Sequence, residues 1–124
     1  MNKVVHFELP MDDAARGQKF YEQTFGWKIQ NIPEMNYSLV YTTEVDAKSM
    51  PKEPGAINGG MVKRSATVIA PSFAIDVENI EEALEKIKKG GGTILKEKTP
   101  AGPMGFIAYF KDTEGNVLSL WQNA

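Results

Sequence analysis

Val4-Val5-His6-Phe7-Glu8-Leu9-Pro10-Met11-Asp12-Asp13 decides how the chain is read, because a strand pattern there runs straight into a helix start. Alternation puts Val5, Phe7 and Leu9 on one face and Val4, His6 and Glu8 on the other. Pro10 is expected to end the strand. Asp12 or Asp13 can accept a hydrogen bond from the first free amides of a helix, so the helix should begin there. Ala14, Gly17, Tyr21 and Phe25 then recur at helical spacing, with Phe20 beside them, and Gly26 stops the helix. Trp27-Lys28-Ile29 opens a second strand, and residues 37–42, rich in aromatic and β-branched side chains, form a third. Residues 43–55 hold Pro51 and Pro54 and no periodicity, which reads as a long loop. Residues 56–64 form a fourth strand, in which Gly59-Gly60 marks a bulge or a close approach by ligand or backbone.

The second half repeats this order. Ser72-Phe73-Ala74-Ile75-Asp76-Val77 alternates as a strand, and Asn79-Ile80-Glu81-Glu82 has the form of a capping box. Ile80, Leu84 and Ile87 share one helical face. Early glutamates and late lysines complement the helix dipole, with Glu82/Lys86 and Glu85/Lys89 as i,i+4 pairs. Gly90-Gly91-Gly92 ends the helix; it follows a helix instead of preceding one, so it is no phosphate loop. Strands are expected at residues 93–96, 106–110 and 117–121, with a loop at 100–105 and a turn at Asp112-Thr113-Glu114-Gly115-Asn116. The halves align at an offset of 66 positions, placing His6 on Ser72 and Gly26 on Gly92. Each half reads β-α-β-β-β, which gives an α+β class with two modules, about 1–66 and 71–124, in a single domain of residues 1–124.

Composition narrows the function. The chain has 124 residues, enough to bury roughly two-thirds of its unfolded surface without staples. Fourteen basic against sixteen acidic residues leave a net charge of −2, so there is no basic excess for nucleic acid. Absence of cysteine excludes disulfides, thiolate nucleophiles and cysteine metal sites. A single histidine excludes multi-histidine sites. No apolar run approaches a membrane span, and the first residues lack a signal-peptide core, so a cytoplasmic location is expected.

Phe20-Tyr21-Glu22-Gln23-Thr24-Phe25-Gly26-Trp27 after a first strand, together with Asp112-Thr113-Glu114-Gly115-Asn116 before the last, resembles the vicinal oxygen chelate superfamily. That group contains glyoxalase I, bleomycin- and fosfomycin-resistance proteins and extradiol dioxygenases. The resemblance extends over both halves. The Pro54-to-Met61 stretch and the Leu120-Trp121-Gln122 ending look like a bacterial glyoxalase-like subgroup of it. It implies paired βαβββ modules in a curved mixed sheet around a cleft, and metal ligands of His and Glu type on four strands. Carried onto this chain, those four positions fall on His6, Gly59, Ser72 and Ser119. Only His6 keeps a ligand-type side chain, so no cofactor is expected and the usual metal site is expected to be missing. Glu8 and Asp76, on the same strand faces as His6 and Ser72, leave open a displaced site for a divalent metal.

Each candidate has a plainer role beside the functional one. His6 can be a hydrogen-bonded structural or pocket-lining side chain, and Glu8 a paired carboxylate or, if buried, a general base. Trp121 can stack on a ligand or fill space. Tyr37, Leu39 and Tyr41 alternate along one strand and could line a cleft. Met50, Met61 and Met104 can serve adaptable packing. Three functions follow. In the first, the chain binds a small, partly aromatic molecule without metal, through His6, Gly59, Ser72, Ser119 and Trp121. In the second, it is a metal-dependent lyase or isomerase acting on vicinal oxygens, with His6 and Glu8 as the catalytic candidates. In the third, it is an interaction subunit with no small-molecule chemistry. Long sheet edges point to a homodimer.

Overall fold

β1 (Val4–Met11), α1 (Ala14–Phe25), β2 (Lys28–Ile32), β3 (Tyr37–Tyr41) and β4 (Gly59–Lys63) follow one another in the first half of the computed structural model, which describes residues 1–124. β5 (Ser72–Asp76), α2 (Ile80–Lys89), β6 (Thr93–Pro100), β7 (Gly105–Lys111) and β8 (Val117–Asn123) repeat that order in the second. The class is therefore α+β, with β-α-β-β-β written twice. Two units emerge: His6–Pro71, and Ser72–Ala124 together with Met1–Val5. Neither helix is long and apolar enough to cross a membrane.

In the unit of residues 6–71 the strands lie in the order β2-β3-β4-β1. β1 runs parallel to β4, and the other pairings are antiparallel. Asp13 caps α1, accepting a hydrogen bond from the Arg16 amide at 3.0 Å. Gly26 closes the helix in the left-handed region at φ 71, and its amide donates to the Glu22 carbonyl. Gly17 lets α1 settle on Met11, since a Cβ at Gly17 would strike the Met11 sulfur. Tyr21 stacks flat on Trp27, with centroids 4.9 Å apart, and Trp27 meets Phe7 at 5.8 Å. This contact fixes the helix-side face as the one bearing Phe7, and the buried Val40 and Met61 share it by register. The apolar stripe read along α1 buries no residue fully, and Phe20 and Phe25 are more than half exposed.

Residues 72–124 place their strands in the order β5-β8-β7-β6. Their core is the face that α2 covers: Ile80, Leu84, Ala108, Phe110 and Leu120, flanked by Ile75, Ile87 and Leu118. Burying this much apolar surface is the main stabilising term for the unit. Asn79 accepts from the Glu82 amide at 2.9 Å, and Gln122 from β8 accepts from the Ile80 amide at 2.8 Å. Two of the helix's otherwise unsatisfied amides are thereby paired. The i,i+4 pairs read from sequence are replaced by Glu85–Lys88, spaced i,i+3, and by Glu81–Lys98. Lys98, which lies on β6, also sits 4.5 Å above the Phe106 ring of β7.

Several boundaries move. β1 continues through Pro10 to Met11, with Pro10 opposite Val62. β4 starts at Gly59, three residues later than the pattern suggested, because Asn58 has another task. Its side-chain oxygen accepts from the Thr42 and Thr43 amides at 2.8 and 3.1 Å, clasping the base of the long loop. β6 extends to Pro100, past two register shifts that break its alternation.

Candidate functional site

Strand pairing sorts the candidates by face. In residues 6–71 the face turned away from α1 carries His6 and Glu8 on β1. Gly60 lies opposite Glu8, Leu39 lies opposite Gly60, and Tyr37 stands two residues before Leu39 on β3. Gly59 does not belong to this group. It pairs with Phe7, and a Cβ there would run into the Phe7 ring, so Gly59 faces the helix side. The glycine that shares a face with His6 is Gly60, one residue later. A count of one position along a strand reverses its facing, which is how the sequence reading picked the wrong glycine.

Gly60 matters because of what lies on it. A side chain there would overlap the Tyr37 hydroxyl and ring. The bare backbone lets Tyr37 lie close, and its hydroxyl reaches His6 Nε2 at 2.7 Å. The two rings are nearly parallel, 18° apart. Burial lowers the His6 pKa from 6.5 to about 4, so the imidazole is neutral at pH 7. Glu8, next on the same face, is 1% exposed. No sequence signal linked residues 6 and 37; the pair is created by strand order.

In residues 72–124 the face away from α2 carries Ser72, Ala74 and Asp76 on β5, and Ser119 and Trp121 on β8. Ser119 stands opposite Ala74 on one side and Tyr109 on the other, and Trp121 stands opposite Asp76 and Ile107. Ser119 is fully buried. Neither the Ser72 nor the Ser119 hydroxyl has a hydrogen-bond partner within the protein. The Trp121 indole lies against Gly105, where a Cβ would meet its ring, and its Nε1 donates to Asn123 at 2.9 Å. Asp76 also borders a shallow recess of about 390 Å³, whose other lining residues include Lys3, Glu78 and Gln122. Of the three methionines, Met61 is buried on the helix side, whereas Met50 and Met104 are exposed.

The donor set can be set against a divalent cation. No three His, Asp or Glu side chains gather closely enough to hold one. His6 has its Nε2 engaged by Tyr37. Serine hydroxyls are weak donors for such an ion, and glycine supplies no side chain. The residues present do not fit the usual four-ligand centre.

An α+β chain that writes β-α-β-β-β twice, with each helix on one face and chemistry-bearing side chains on the other, defines a class of paired-module proteins. Comparison with known proteins places it further. Residues 3–43 match the bleomycin resistance protein-like N-terminal family. A glyoxylase-like domain-containing protein of Didymella fabae is 31% identical over 119 residues, covering 91% of this chain and 88% of that one. A lactoylglutathione lyase of Haemophilus influenzae is 26% identical over 125 residues, covering 98% and 93%. Among solved structures, a Streptomyces coelicolor methylmalonyl-CoA epimerase in complex with 2-nitronate-propionyl-CoA shares the fold with a TM-score of 0.66 at 15% identity, covering 100% of this chain and 96% of that one. The chain belongs to the glyoxalase/bleomycin resistance protein/dioxygenase superfamily, on its glyoxylase-like side.

Proposed function

We propose that this protein binds a small, partly aromatic molecule, and does so without the divalent metal used by many members of its superfamily. The observation that carries the reading is the His6–Tyr37 pair. The one imidazole of the chain is neutral, desolvated and hydrogen-bonded through Nε2 to a phenol seated on Gly60. A side chain so placed can shape a binding surface and offer hydrogen bonds, and its main ligating atom is already committed. Ser72, Ser119 and Trp121 are the further residues assigned to ligand contact, each on the face of its strand turned from the helix. Gly60 takes the place first given to Gly59.

A second reading keeps the metal: a lyase or isomerase acting on vicinal oxygens, with His6 as one ligand and Glu8 or Asp76 as another ligand or base. What favours it is the likeness to a relative named lactoylglutathione lyase. It requires Tyr37 to release His6. A cytoplasmic homodimer, built on one domain of residues 1–124 with modules at about 1–66 and 71–124, completes the proposal.

The test is metal content by mass spectrometry after incubation with nickel, zinc, manganese or iron(II), on wild type and His6→Ala. Substoichiometric metal in both is the expected result. Near-stoichiometric metal that disappears in His6→Ala overturns the metal-free reading. A thermal-shift screen of metal-stripped protein against aromatic metabolites and antibiotics tests binding itself: at least one compound should raise Tm, and a flat response across the collection removes the binding reading.

A further inference from the structure

Buried hydroxyls almost always find a partner, because one left without it has lost its water and gained nothing in return. Ser72 and Ser119 both break this rule, and they do so on the same face of neighbouring strands. Ser119 is in register with Ala74, and Ser72 lies two residues before Ala74, so the two hydroxyls are diagonal neighbours across the β5–β8 pair. Side chains in such a diagonal relation stand on the order of 7 Å apart at Cβ. That is too wide for the serines to bond each other, and suited to a group that brings two hydrogen-bonding atoms side by side. The same-face neighbours on the paired strands include Ala74, Val117, Tyr109 and Trp121; the one cation on that face, Lys111 opposite Val117, is exposed at the end of β7, and Asp76 opposite Trp121 adds a negative charge. An anion buried there would lack a counter-charge, so the fitting group is neutral. Trp121, two residues beyond Ser119 on the same face, supplies a flat apolar surface beside it.

We infer that Ser72 and Ser119 form a polar seat for a neutral, planar, two-atom hydrogen-bonding group, of carboxamide type, attached to an aromatic ring. This rests on the small-molecule-binding reading and specifies its ligand. Each hydroxyl bonds one of the two polar atoms of the group, and the ring lies toward Trp121. The ligand-free protein retains two unsatisfied hydroxyls, a cost of the kind that binding sites carry.

The test uses the full chain and benzamide as the probe, with benzoate and toluene as comparisons. In ligand-free protein, Ser119→Ala should leave Tm unchanged or raise it; a hydroxyl with a partner would lower Tm on removal. Calorimetric titration should show benzamide binding to wild type, with at least tenfold weaker binding to Ser119→Ala and to Ser72→Ala. Benzoate, charged, and toluene, without polar atoms, should each bind at least tenfold more weakly than benzamide to wild type. The seat is overturned if Ser119→Ala lowers Tm by several degrees, if benzamide does not bind wild type, or if both alanine variants bind it equally well. Should the seat fail while another aromatic compound from the screen binds, the binding reading stands with its polar contacts elsewhere. Failure of every compound removes both.

Discussion

Acid should weaken this fold through one side chain, and the amount can be worked out. His6 titrates near 6.5 when exposed and near 4 in the folded protein, because burial disfavours the imidazolium. Between those values the unfolded chain binds the proton and the native one does not. Stability therefore rises with pH through that window and is lost as pH falls from 6.5 toward 4. At pH 4.5 the two titration curves differ by about 2–3 kcal/mol relative to pH 7, and below pH 4 the loss levels off at about 3 kcal/mol. Carboxylates titrate in the same range, so the comparison must be differential. Urea unfolding of wild type and His6→Gln at pH 7 and pH 4.5 isolates the term, since glutamine cannot titrate. Wild type should lose about 2–3 kcal/mol more than the variant. The chain contains one histidine, so a single imidazole resonance reports the folded pKa directly. A folded His6 titrating at 6 or above, or equal losses in the two proteins, would refute the argument that burial holds the ring neutral.

Three substitutions test the packing. Gly60→Ala pushes the Tyr37 hydroxyl off His6, so it should cost about 1–2 kcal/mol, one hydrogen bond's worth, and move the imidazole resonance. Gly105→Ala sets a methyl against the Gln122 carbonyl and the Trp121 ring; backbone yields less readily than a side-chain tip, and a loss of about 2 kcal/mol in denaturant unfolding is expected. Asn79→Ala removes the α2 cap and should cost about 1 kcal/mol, with the Glu82 amide exchanging faster in hydrogen-exchange measurements.

Elements with local causes were legible in the sequence. Asp13 and Gly26 bracket α1 through capping chemistry that involves only nearby residues. Ile80, Leu84 and Ile87 declare the α2 face by spacing alone, and the structure buries the first two fully. Features that depend on which strand lies beside which were not legible. His6 and Tyr37 are 31 residues apart and meet only because β3 and β1 flank β4. Gly59 faces the other way from the expectation because facing changes with every residue and irregular chain precedes β4. β6 was cut short at Lys96 because its two register shifts erase the alternation by which strands are recognised. The orphan hydroxyls of Ser72 and Ser119 were located by position, but their lack of partners is a property of the packed protein.

The adjoining glycines of β4 have a consequence for how this protein can change. Phe7 lies over one of them and Tyr37 over the other, on opposite sides of the same strand. At that point the backbone alone is the partition between hydrocarbon packing and the histidine's surroundings. A side chain acquired at residue 59 would press on the helix side and register as lost stability, leaving the other side unmoved. One acquired at residue 60 would dislodge the phenol and leave the helix seated. Neighbouring codons thus answer to separate selective pressures, and a lineage could refashion what His6 meets by substituting one residue while its neighbour keeps the fold intact.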